Sequence, residues 1–289
     1  VKGHTERLKG WISRRFAEER SLLSLVMRRV IEIRPIDTAL ALASRLFVAV
    51  IPLSLLATAV TPVDDSFAGV LERSLGLSGA GRDAAEALFA TPEAVRAGIS
   101  LFGILVLLYT LTNYARGLQQ VYLTVWRLPP EGAAGVRRRL VWIGGLAVYL
   151  LVTLTVDGLR DSGDDLETLY RVAVGAGAIV FYTWTPYVLL GRRVRRVALA
   201  PTIALTLLTA IAFSLVSSFY MPDLASSQAE RYGTVGFAFA LLTWLFVQSM
   251  LIVVSAIVGA AIAERWMGPL PTGEMTGAGE SDGESVTAD

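Results

Sequence analysis

Few residues in this chain could carry chemistry. It holds one histidine, His4, and no cysteine, which excludes a histidine–cysteine zinc site, a thiol nucleophile and a disulfide frame. A serine–histidine–acid triad would have to use His4, in an N-terminal arm. The paired acids Asp64-Asp65 and Asp164-Asp165 stand in segments that read as solvated loops, not as a two-metal site. A Gly-Lys-Ser/Thr phosphate loop does not occur. No catalytic residue, metal ligand or cofactor is expected, and the chain does not read as an enzyme.

What remains is a set of polar groups inside or beside apolar segments. Arg45 lies seven residues after Thr38, at the start of the first apolar run, which places it about 10 Å along a helix. It either snorkels to headgroups or faces a cavity as a ligand for an anion or a lipid phosphate. Gln248 sits near the middle of the last apolar run, where its amide must face protein, as interhelical glue or as a cavity-lining ligand. Asn113, Arg116 and Gln120, with Gln119 beside them, follow the second run at helical spacing and form one polar face. Pro52 and Pro186 interrupt two apolar runs and mark candidate kinks. On the last run, Ser255, Gly259 and Ala263 make a small-residue stripe that reads as packing, and Tyr232-Gly233-Thr234-Val235-Gly236 at its start allows close contact or unusual backbone angles.

The elements positioning these groups follow from composition. With 54% hydrophobic and 18% charged residues over 289, the chain is too apolar for a soluble domain of its size. A span needs roughly 20 apolar residues, because every backbone polar group must be satisfied within the helix. Six segments qualify: 38–60, 97–115, 140–156, 172–190, 198–220 and 234–263, none containing an Asp or Glu. The expected fold is an all-α polytopic membrane bundle of six transmembrane helices plus an N-terminal amphipathic helix. It divides into a cytoplasmic arm (1–37), a membrane domain (38–266) and an acidic disordered tail (267–289).

Lys and Arg set the orientation. The arm carries nine, and the successive connections carry three in 61–96, five in 116–139, two in 157–171, four in 191–197 and one in 221–233. Rich segments stay in the cytoplasm, so both termini are expected inside. The basic runs 137–139 and 192–196 abut spans on that inner side, where anionic lipid supplies the nearest phosphates, and no RNA-binding motif accompanies them. Between Trp11 and Ile33, apolar residues recur at helical spacing with Arg28 and Arg29 mostly off the stripe, so this helix should lie at the inner surface or pack beneath the bundle until Pro35 breaks it. In the outer connection 63–96, Arg82 to Phe89 reads as a short helix and Thr91-Pro92-Glu93 as a helix start; a solvated connector is the default for this loop and a cap over a cavity the alternative.

Three stretches carry a family likeness: Leu42-Ala43-Ser44-Arg45-Leu46-Phe47 running to Pro52, Arg116-Gly117-Leu118-Gln119 with Trp126, and Tyr232-Gly233-Thr234-Val235-Gly236 with Trp244. Pro186 and Pro201 fit the same pattern. By these motifs, over about residues 30–266, the chain resembles the YihY/BrkB family of bacterial inner-membrane proteins. The resemblance implies six spans, both ends in the cytoplasm, and transport or export of lipids or other amphipaths; an older ribonuclease label finds no ligands here. Ser44 and Ala49 stand where the family often has an aromatic residue and a serine, and Ser255-Ala256-Ile257 where Gly-Ala-Glu is common.

The expected function is that of a plasma-membrane transporter or flippase-like carrier of an anionic amphipath or lipid, with Arg45, Gln248, Asn113, Arg116 and Gln120 lining an inner-facing site. The alternative is a non-transporting organiser that binds anionic lipids or partner proteins. Membrane lipids are the expected partners, nucleic acid is not, and self-association is allowed. An apolar cavity opening sideways to lipid would favour the carrier, and a tightly packed bundle the organiser.

Overall fold

The computed structural model of the chain describes residues 22–60, 69, 71–72, 75–89, 101–157 and 164–268. Among the described residues every regular element is helical: α1 (Leu22–Ile33), α2 (Pro35–Val60), α3 (Gly79–Phe89), α4 (Leu101–Val125), α5 (Ala133–Asp157), α6 (Asp164–Leu190), a 3₁₀ turn (Gly191–Arg193) and α7 (Arg196–Met267). The start of the amphipathic arm, His4, Asp64-Asp65, the Thr91-Pro92-Glu93 helix start and the acidic tail lie outside the described residues.

The 72 residues of α7 would reach about 108 Å if straight. They fold back instead. Gly233 takes φ 61° and ψ −144°, a backbone that only glycine adopts without strain. The limbs before and after it (196–232 and 234–267) run antiparallel: Trp244 Nε1 donates to Ser217 Oγ at 2.9 Å, the Thr209 and Ser255 hydroxyls lie 3.1 Å apart, and Gly259 meets Thr202. The connection expected over 221–233 is therefore helical as far as Tyr232, with Met221, Ala225 and Ala229 buried, and one glycine makes the reversal. Gly236 permits the tight corner, since a Cβ there would lie 2.0 Å from the Gln228 carbonyl oxygen.

Several helices outrun their apolar runs. α4 continues to Val125, α5 begins at Ala133, and α6 begins at Asp164. Hydrocarbon thickness limits the apolar stretch, whereas the helix itself ends only where a residue can leave helical geometry and the last carbonyls find donors. α4 ends that way at Arg127 (φ 52°), where Leu128 N–H donates to the Leu123 carbonyl at 2.8 Å. α1 ends at Arg34 (φ 51°), and Pro35 opens α2, as its fixed φ and missing N–H suit a first helical position. Pro52 and Pro186 are both buried within continuous helices.

α1 packs beneath the bundle against α4 and α7. Its buried face is Leu25, Arg29 and Ile33, so Arg29, expected off the apolar stripe, occupies it. The reason is a partner: Arg29 Nη2 lies 2.8 Å from Glu264 Oε2 at the end of α7, and its Nε donates to the Val125 carbonyl at 3.2 Å. One core joins α1, α2, α4, α5, α6 and the halves of both α7 limbs farther from Gly233 around Trp126, Trp142 and Ile257. A second, at the opposite end, joins α2, α3 and the apex of α7 around Phe89, Met221 and Phe237. α3 is thus no solvated connector: it packs on the α7 apex, where Ser226 Oγ donates to the Ser78 carbonyl at 3.1 Å.

The outward faces are apolar too. Leu105 and Leu108 on α4, Val141 and Val148 on α5, Val180 on α6 and Leu208 and Leu215 on α7 are all exposed. Two helices, Val172–Arg193 and α7, are long and apolar enough to cross a membrane among the described residues.

Candidate functional site

Between the two cores lies a cavity of about 660 Å³. α4, α5, α6 and both limbs of α7 build it, each contributing residues one or two turns apart. Its floor is the buried set Tyr122, Trp142, Thr185 and Thr206. On the other side Gly175, Ile179, Ile211, Leu215 and Ser218 line it and are exposed, so it opens sideways between α6 and the first limb of α7.

Aromatic rings form the wall from α4 across α5 to α6. Tyr114 and Trp142 lie 5.9 Å apart between centroids, Trp142 and Phe181 5.6 Å, and Tyr149 stacks on Phe181 at 5.3 Å. One polar tip is paired within the wall: Trp142 Nε1 donates to Thr185 Oγ1 at 3.1 Å, and Thr185 donates onward to the Phe181 carbonyl at 2.8 Å. Gly145 lets the α6 aromatics close on α5, because a Cβ there would lie 2.1 Å from the Trp184 ring.

Gln248 is the predicted residue that reaches this cavity. Its Nε2 donates to the Tyr182 hydroxyl at 3.0 Å, while its buried Oε1 has no hydrogen-bond partner. No charged side chain lines the cavity among the described residues.

The other predicted residues gather elsewhere. Arg45 is exposed and lies across α4, where its Nη1 would be 2.0 Å from a Cβ on Gly117, so the glycine makes room for the guanidinium. It has no acid partner among the described residues: Asp37 pairs with Arg34 at 2.8 Å and Glu264 with Arg29. Arg116 and Gln120 are exposed on α4, with Asn113 half-buried above them. Arg139 of α5 flanks the same face, donating through Nη1 to Gln119 Oε1 at 3.2 Å. Burial first, and then the like charge of Arg116, hold the Arg139 guanidinium pKa below its ordinary value. Arg45, Arg116 and Gln120 therefore belong to an exposed polar strip with half-buried Asn113 at its edge, and none of the four shares the cavity with Gln248.

Sequence reasoning also missed an ionic latch where α4, α5 and α6 end together. Glu131, with its side chain only 7% exposed, accepts hydrogen bonds from Arg138 and, at 3.0 Å, from Arg193. Gln119 Nε2 donates to the Leu189 carbonyl at 3.0 Å and Arg138 Nη1 to the Leu190 carbonyl at 3.1 Å, which satisfies the end of α6. The available signal was that Glu131 is the sole acid in 116–139.

Ile257 is buried in the first core, and Ser255 bonds to Thr209 across the α7 limbs. No family model, curated protein or solved structure matches the chain.

Proposed function

We propose that the protein is an integral membrane carrier, flippase-like in taking an amphipathic, lipid-like molecule sideways from the bilayer into its cavity. The observation that carries this reading is the cavity itself. Its volume falls within the roughly 300–1,000 Å³ of ligand pockets. Its walls are aromatic and aliphatic, and its mouth opens between two helices whose outward residues are apolar. A bundle that only organises membrane has no use for such a lateral opening.

The test fills the cavity. Gly175 lines it, and a Cβ added there would meet nothing within 4 Å, so Gly175→Trp should fit without disturbing the fold. Purified wild-type protein is expected to retain close to one lipid-like molecule per chain by native mass spectrometry, and the tryptophan variant to lose it. Transbilayer movement of that molecule in vesicles should accelerate with wild-type protein only. Equal retention by both proteins would sink the reading.

In this proposal α2, α4, α5, α6 and the two limbs of α7 are the six crossings, with both termini in the cytoplasm of a bacterial cell. The alternating Lys/Arg counts and the exposed apolar side chains on α4 and α5 support it. Membership of the YihY/BrkB family is part of the same proposal and rests on the motifs alone. A reporter fused after Gly233 is expected to read as external and one at Asp289 as cytoplasmic; either result reversed removes the six-span arrangement.

The organiser reading is favoured by one observation, the cationic strip of exposed Arg45 and Arg116 flanked by half-buried Arg139. Two exposed guanidinium groups, with the half-buried Arg139 beside them, suit anionic lipid of the inner leaflet. The two roles are compatible, since strip and cavity are separate.

A further inference from the structure

We infer that the cavity selects a lipid with an uncharged hydroxyl head, such as a diacylglycerol or a long-chain alcohol, and rejects one with a phosphate. The inference rests on the carrier reading above and names its substrate class.

The argument starts from what the cavity lacks. An anion moved there would leave water for a site in which no lysine, arginine or histidine lines the wall among the described residues. Burying an unpaired charge costs far more than burying a hydroxyl that keeps its hydrogen bonds. The arginines that could pair with phosphate, Arg45 and Arg116, do not line the cavity.

What the cavity offers is a neutral pair. Gln248 Nε2 already donates to the Tyr182 oxygen, which leaves the Tyr182 O–H free to donate and Gln248 Oε1 as a buried acceptor without a partner, brought to the cavity by a turn of the amide. Rotating the amide by half a turn exchanges the roles and still presents one donor beside one acceptor. A hydroxyl group answers both at once, since it donates one proton and accepts another. Both Gln248 and Tyr182 line the cavity, so the head would sit there with its chains against the rings of Tyr149 and Phe181 and along the mouth.

Tryptophan fluorescence supplies the readout, because Trp142 and Trp244 line the cavity. Full-length protein in phosphatidylcholine nanodiscs is titrated with three lipids of identical brominated acyl chains: a diacylglycerol, its 3-acetyl ester and a phosphatidic acid. The diacylglycerol is expected to quench saturably. The acetyl ester, which lacks the donor, should bind about fivefold to tenfold more weakly, the value of one hydrogen bond. Phosphatidic acid should be weaker still. Gln248→Leu should make diacylglycerol and acetyl ester equal; Gln248→Met serves if that variant does not fold.

The failures are distinct. Phosphatidic acid binding as tightly as the diacylglycerol, or a hydroxyl preference that survives both variants, overturns the head-group assignment and leaves the carrier reading standing. Absence of saturable quenching by all three lipids overturns the carrier reading itself.

Discussion

Glu264→Leu is expected to cost about 3–5 kcal/mol of stability, the usual penalty when one member of a buried ion pair is removed. Arg29 is 1% exposed and would be left as an uncompensated charge beneath the bundle. Burial already holds its pKa below the ordinary arginine value, with Glu264 opposing that shift. The cost falls on three elements together, because Arg29 on α1 also donates to the carbonyl of Val125 at the end of α4, while Glu264 belongs to the end of α7. The double variant Arg29→Leu/Glu264→Leu should recover most of the loss, since an apolar pair in that place carries no desolvation cost. Unfolding of the detergent-purified proteins, followed by circular dichroism, measures both. A single variant within about 0.5 kcal/mol of wild type, the range of ordinary surface substitutions, would show that the pair does not hold α1 in place.

That ion pair also marks where sequence reading stops. The helices were legible because a long apolar run without Asp or Glu favours a conformation that pairs every backbone group within the segment, and α2, α4, α5, α6 and both α7 limbs overlie the six runs. The positive φ of Gly233 was legible as a possibility, because a Tyr-Gly-Thr-Val-Gly stretch at a helix start has few other uses. Gln248 was legible for the same kind of reason: an amide in an apolar helix must find protein.

The rotation of a helix about its axis was not legible. α2 is apolar all round, so Arg45 could be placed by depth but not by direction, and it lies on Gly117 away from the cavity. Arg29 went astray for the opposite reason. Its helix is clearly amphipathic, yet the acid that draws it inward stands in another part of the chain, and no local pattern encodes such a pairing. The aromatic wall is equally non-local, since Tyr114, Trp142 and Phe181 come from three helices and meet only when those helices pack. Glu131 was passed over because its two arginine partners come from separate elements, and the carbonyls its neighbours cap belong to α6.

Gly259→Leu is expected to separate the limbs of α7. A Cβ on Gly259 would lie 2.4 Å from Thr202 Cα and 2.6 Å from Thr202 N, so even alanine collides with backbone that no rotamer change can move. Overpacking of this kind costs typically about 1–3 kcal/mol, and leucine should reach or pass the upper end. By contrast, Ser255→Ala one turn away removes a single hydrogen bond to Thr209 and should cost only about 1 kcal/mol. Thr202→Ala provides the decisive control. It trims the Oγ1 that also stands 2.4 Å from the added Cβ but leaves the blocking backbone atoms in place, so it should not rescue Gly259→Ala. The consequence reaches the cavity, because Thr206 on one limb and Ile252 on the other line it within two turns of this contact. Parting the limbs should therefore release the retained lipid in parallel with the loss of thermal stability. A Gly259→Ala protein as stable as wild type, or one restored by Thr202→Ala, would show that the limbs do not meet backbone to backbone here.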